Sequence, residues 1–153
     1  MIIEYVKSGK WSTLGLASGA LAGLVAVTPA AGFVAPWVAL ILGILSGIVC
    51  FLVLSWRASS NIDESLDAIS THGTGGILGA ILTGVFATIN SSGALTGNPG
   101  QIWIQTVGVI VTIGYSFVVT FAIAWVIKKT IGFRLPPEEE YVGLDISQHG
   151  EKI

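Results

Sequence analysis

The chain has 153 residues, of which 52% are hydrophobic and only 10% charged, with a formal net charge of −2. Soluble domains carry roughly 25% charged residues, so this composition, with a mean hydropathy of +0.81, excludes a water-facing fold and indicates an integral membrane protein. Nucleic-acid binding is unsupported because no basic cluster with interleaved aromatics occurs. An internal disulfide is excluded because Cys50 is the single cysteine.

Residues 1–10 are short and mixed, with Glu4, Lys7 and Lys10. Lysines, an apolar run and the small residues after Thr28 superficially suggest a cleaved signal peptide. Gly15, Gly19 and Gly23 instead recur at helix-packing spacing, which argues for a retained span. No charge interrupts residues 11–56, which is long enough for two spans of about 20 residues. Pro29, Gly32 and Pro36 mark the break between them, because proline disfavours helix interiors and restricts the residue before it. The expected helices are 12–28 and 36–56. Trp37 and Trp56 fall near the ends of the second, where tryptophan anchors at the headgroups.

A polar connection follows, RASSNIDE over residues 57–64. Ser60 or Asn61 is the expected N-cap, with Asp63, Glu64 and Asp67 favouring the positive end of a third helix over 62–88. Within this helix, Gly75, Gly79, Thr83 and Ala87 form one stripe of small residues, and Gly76, Ala80 and Gly84 another. Such stripes let helix backbones approach closely in lipid. His72 sits ten residues in, about 15 Å along the axis, which predicts a buried imidazole near the middle of a hydrocarbon core about 30 Å thick. An ionisable group there is costly and marks a functional site by default; the plainer reading is a histidine satisfied by a neighbouring carbonyl or hydroxyl. Residues 90–100 are a turn-rich, uncharged loop. A fourth uncharged helix is expected over 101–127, then a polar tail stopped from continuing the helix by Pro136.

Every lysine and arginine falls in the N-terminal segment, the second connection or the tail, and the first and third connections carry no charge. Four spans therefore gather all basic residues on one side, which the positive-inside rule assigns to the cytoplasm together with both termini. No metal site or cofactor is expected, since His72 and His149 are too far apart along this topology to share an ion. Neither a nucleophile–base pair nor a phosphate-binding glycine loop is present, so the chain does not read as an enzyme.

Three long segments carry a family resemblance: LGLASGALAGLVAVTPAAGFV from Leu14, LDAISTHGTGGILGAILTGVFA from Leu66, and IGFRLPPEEEYVGLDISQHGE from Ile131. In this order they resemble the C-terminal part of the ammonium transporter/Rhesus family, covering its eighth to eleventh helices and cytoplasmic tail. The resemblance implies an all-α membrane protein whose four transmembrane helices are a fragment of the eleven-helix ammonium transporter fold. Residues 1–128 would be the membrane region and 129–153 the cytoplasmic tail.

For function, the resemblance implies ammonium/ammonia transport through a channel-like pathway in the cell membrane. His72 would be the second of a pore histidine pair, Asp67 the aspartate near the inner end of the same helix, and Ser18 a small polar position on the eighth helix. Asp67 stands five residues before His72, off its direct face, and reads as a residue holding the helix start. In the tail, Gly143, Leu144, Asp145, His149, Gly150 and Glu151 match a segment that couples subunits. The resemblance further implies a trimer and a PII-type signalling protein at the cytoplasmic face. It begins before the eighth helix, so the first pore histidine and the outer recruitment site are expected to be missing, and the chain alone is expected not to transport. The alternatives are a non-transporting assembly or regulatory module that joins full-length subunits, or an incomplete gene product.

Why such a pathway wants an imidazole follows from electrostatics. An unpaired ion in a low-dielectric medium costs tens of kcal/mol in the Born picture. Moving ammonia and its proton separately avoids most of that cost. A neutral imidazole, with one donor and one acceptor, can relay the proton.

Overall fold

The computed structural model describes residues 2–62, 64 and 66–150. It divides into two compact units, Met1–Val111 and Thr112–Ile153. Four helices among the described residues are long and apolar enough to cross a membrane: Thr13–Ala30, Pro36–Ala58, Ile69–Phe86 and Gly100–Thr130.

The first unit opens with a short helix α1 (Ile2–Ser8). Its Tyr5 stacks on Trp11 with centroids 4.3 Å apart, and its Lys7 ammonium lies 5.6 Å from the centroid of Phe51. Helix α2 (Thr13–Val27) is capped by Ser12, whose Oγ accepts from the Gly15 amide at 2.8 Å. A 3-10 turn over Thr28–Ala30 ends this span. Helix α3 (Pro36–Ala58) starts with proline in its first turn, where the missing N–H would have had no helical partner. A π-helical turn over Ile69–Gly73 leads into α4 (Thr74–Phe86).

These three spans pack on one another. Ala30, Val34, Val38 and Leu42 form the buried apolar cluster, with Val27, Ala35, Leu82 and Phe86 against it. Elsewhere the interface is built of small residues, as expected where helices gain nothing by hiding apolar area from lipid. Ala22 and Ala26 of α2 are buried against Gly75 and Gly79 of α4, and Gly23 of α2 has the Gly43 backbone of α3 within 3.7 Å of where a Cβ would be. Ser46 of α3, fully buried, donates to the Ala22 carbonyl at 2.7 Å. At one end of the bundle the first and third connections meet: the Thr88 and Ile89 amides donate to the Phe33 carbonyl at 2.8 and 3.0 Å. The second connection closes the opposite end.

Helix α5 (Gly100–Thr130) begins in the first unit and continues into the second; none of its 31 residues is buried. At about 46 Å it exceeds a hydrocarbon core of about 30 Å, and it extends past the expected 127 to include Lys128 and Lys129 in its last turn. In the second unit, α6 (Pro137–Val142) and α7 (Leu144–His149) follow. The acidic run Glu138, Glu139 and Glu140 fills the first turn of α6, where carboxylates complement the helix dipole. Glu140 takes both arms of the Arg134 guanidinium at 2.9 Å each, and Gly143 turns between the helices at φ +99°.

The expected helix over 62–88 is corrected at its start. The span begins at Ile69, two residues after Asp67, which adopts a left-handed backbone with φ 51° that no helix continues through; Asp63 lies outside the described residues. The expected caps also differ. Ser60 Oγ donates back to the Arg57 carbonyl at 2.7 Å, closing α3, and the Glu64 carboxylate accepts from the Ile69 amide to start the next span.

Candidate functional site

His72 lies on the π turn, fourth in its span rather than deep within it. Its depth is set by the neighbour it packs on. The Thr71 carbonyl accepts from Cys50 Sγ at 3.7 Å, and a Cβ at Gly75 would come within 3.4 Å of Ser46 Oγ. Cys50 and Ser46 both fall in the middle third of the 23-residue α3, so the His72 backbone stands level with the centre of that span.

The imidazole is exposed, not buried as expected. It opens onto a groove of about 550 Å³ lined by Leu21, Leu24, Val25, Thr28, Pro29 and Gly76. A Cβ at Gly76 would meet nothing within 4 Å. Among the described residues the ring has one polar side-chain neighbour, Thr71 Oγ1, 3.3 Å from Nδ1. π-Helical turns are rare and concentrate at functional positions, because the widened turn displaces side chains from ordinary helical register.

Asp67 stands two residues before the π turn, and its polar partners are other than His72. Its carboxylate pairs with the Arg57 guanidinium, and its carbonyl accepts both the amide and the hydroxyl of Thr71, at 2.8 and 2.7 Å. Glu64 completes the group: its carboxylate lies 3.8 Å from Arg57 Nε and accepts from Ser70 Oγ at 3.2 Å. Sequence reasoning used Arg57 only for topology and missed this pairing; the one available signal was a lone arginine ten residues before an aspartate at the next span. Ser18 is half-buried on α2 and lines a different cleft, of about 660 Å³, together with Asp67, Thr71 and Cys50. The structure thus brings Ser18 and Asp67 to one cleft and His72 to another.

Glycines sort by contact. Gly75 and Gly79 face α2 closely, Gly84 faces Gln101, Ile102 and Gln105 of α5, and Gly23 meets α3. Gly15 does not serve helix packing: the Glu4 carboxylate of α1 covers it, and Ser12 Oγ donates to that carboxylate at 2.6 Å. Gly19 is exposed along the Ser18 cleft. In the tail, Gly143 and Gly150 supply positive-φ turns and Leu144, Asp145 and His149 are parts of α7; Glu151 lies outside the described residues. Among the described residues no cluster of three histidine, cysteine or acidic side chains could hold a metal ion.

An apolar three-helix packing built on small residues, with a fourth span long and apolar enough to cross a membrane, defines a polytopic membrane protein. The full chain, residues 1–153, matches the Ammonium Transporter Family. It is 46% identical over 154 residues to the ammonium transporter Amt1 of Archaeoglobus fulgidus and 44% identical over 158 residues to an ammonium transporter of Bacillus subtilis. Each alignment covers 99% of this chain and 39% of the relative. The fold matches the crystal structure of Saccharomyces cerevisiae Mep2 at a TM-score of 0.84 and 34% identity, over 97% of this chain and 36% of that one. A sensor Amt protein matches at 0.83 and 30% identity, over 96% and 37% respectively. The chain belongs to the ammonium transporter family, a family of transporters rather than enzymes, and spans about two fifths of the length of these curated relatives.

Proposed function

We propose that this chain supplies part of the wall of an ammonium/ammonia pathway, as the C-terminal part of an ammonium transporter of the eleven-helix kind, with His72 as its pore imidazole. The observation that carries the reading is the position of that ring: level with the middle of α3, exposed, and facing a groove that no element of the first unit fills. A solvent-free pathway completed by further helices would turn this exposed face into a lined conduit, and the ring would then exchange protons with the cargo. Asp67 acts at a distance, by holding the start of the π turn, and Ser18 belongs to the separate cleft behind it.

Both termini and the second connection, with all the basic residues, face the cytoplasm in this reading. The tail residues Gly143, Leu144, Asp145, His149, Gly150 and Glu151 couple subunits of a homo-oligomer and offer a face to a PII-type protein. Alone, the chain does not conduct, since one wall does not make a tube.

The test is complementation. Cells lacking ammonium transporters are given this chain, the N-terminal part of the Bacillus subtilis relative, or both. Growth on limiting ammonium is expected only with both, and is expected to disappear with His72→Ala. Co-purification of the two parts with no growth and no flux would favour the assembly-module reading. That reading draws support from exposed apolar side chains such as Leu24, Ile44 and Leu52.

A further inference from the structure

We infer that Gly76 sets the bore of the pathway on the outer side of His72, and so limits the size of the amine that reaches the ring. This deepens the pore reading and rests on it. Glycine weakens a helix interior relative to alanine, and the other three glycines of α4 have a reason in packing. A Cβ at Gly75 would come 3.2 Å from Val25 Cγ1, one at Gly79 2.8 Å from Ala26 Cα, and one at Gly84 3.0 Å from the Gln101 carbonyl oxygen. The same atom at Gly76 would meet nothing within 4 Å. The packing of the first unit therefore does not require glycine there. What lies in front of it is the groove.

Gly76 and His72 line that groove together. Gly76 stands four residues beyond the histidine, about 6 Å along the axis, toward the third connection, which the positive-inside assignment puts outside. The rest of the lining comes from α2 and its 3-10 turn: Leu21, Leu24, Val25, Thr28 and Pro29. One wall is thus bulky, and the other, at Gly76, is bare backbone. Side-chain atoms added at this position displace no protein group, so they take their volume from the groove itself. A cargo moving inward meets this gap before it meets the imidazole. Ammonium and methylammonium differ by one methyl group, and one methylene in a close apolar site is worth about 10–200-fold in discrimination. The methyl that Gly76→Ala adds matches in size the methyl it is to exclude.

The test uses cells carrying this chain with the N-terminal part of the Bacillus subtilis relative. Uptake of ammonium and of methylammonium is measured, and the ratio of the two rates is read. Gly76→Ala is expected to lower the methylammonium-to-ammonium ratio about tenfold, and Gly76→Leu to abolish uptake of both. Gly47→Ala in α3 also adds its atom to open space, but along the Ser18 cleft; it is expected to leave the ratio where it is. A ratio unmoved in Gly76→Ala, or moved equally in Gly47→Ala, overturns the inference. So does a loss of co-purification of the two parts in Gly76→Ala, which would make the position a helix contact. A second readout needs no flux. In the full chain reconstituted in lipid, carbethoxylation of His72, followed by mass spectrometry, is expected to slow severalfold in Gly76→Leu. An unchanged rate overturns the inference even where the paired chains carry no uptake. Uptake that survives His72→Ala removes the pore reading and this inference with it, whereas uptake lost in His72→Ala with an unmoved Gly76→Ala ratio removes the inference alone.

Discussion

Gly79 of α4 lies against the backbone of Ala26 in α2 so closely that a Cβ on Gly79 would sit 2.8 Å from the Ala26 Cα. Backbone cannot swing aside as a long side chain can. Gly79→Ala is therefore expected to destabilise the chain by about 1–3 kcal/mol, read as a lower melting temperature in detergent. Gly76, one stripe over, has nothing within 4 Å of the same added atom. Gly76→Ala is expected to stay within about 0.5 kcal/mol. Equal losses at the two positions would contradict this account of the interface.

Ser46 gives a second, smaller measure. Its hydroxyl donates to the Ala22 carbonyl at 2.7 Å in a fully buried contact. Hydrogen bonds between helices in lipid average about 0.6 kcal/mol in double-mutant cycles. Ser46→Ala should cost about that much, and less than Gly79→Ala. A loss above 2 kcal/mol, on the order of the largest interhelical values known, would mean the hydroxyl does more than bridge two helices.

At the opposite rim, Arg57 and Asp67 should be energetically coupled. Their side chains are 20% and 25% exposed, so the pair sits between solvent-exposed pairs worth at most about 1 kcal/mol and fully buried ones that cost about 3–5 kcal/mol to break. A double-mutant cycle with Arg57→Met and Asp67→Asn is expected to return a coupling of about 1–2 kcal/mol. Independent, additive losses would show that the two charges merely lie close.

Sidedness can be read with an impermeant thiol reagent. In a Cys50→Ala background, Ser92→Cys is expected to label in intact cells and Asn61→Cys only after permeabilisation. Both positions are exposed, so access to the bulk phase is the variable. The reverse pattern would invert the assigned orientation.

How much of this was written in the chain can be judged residue by residue. The four spans were legible because uncharged runs of that length have few other fates. The Gly75–Gly79 stripe was legible because spacing alone puts it on one face. The start of the third span was not. Glu64 suits a helix's first turn as well as it suits a position ahead of one, and nothing in an aspartate's identity announces a left-handed backbone at Asp67. Arg57 was equally opaque, since its partner is chosen by the fold and not by spacing. Gly15 misled for a related reason: the same missing side chain that admits a helix here admits the Glu4 carboxylate. His72 stands out in the sequence by its chemical oddity, while its exposure depended on which faces the other helices leave uncovered.

The two ends of the three-helix packing are fastened by different physics. One is tied by neutral amide donors from Thr88 and Ile89 to the Phe33 carbonyl, the other by the charges of Arg57, Glu64 and Asp67. Raising ionic strength from about 0.1 M to 1 M shortens the screening length from about 10 Å to 3 Å, which weakens the second fastening and leaves the first alone. Salt thus becomes a one-sided solvent lever: amide exchange should quicken around residues 67–73 while the loop after Phe33 keeps its protection, and the histidine rides on the end that loosens.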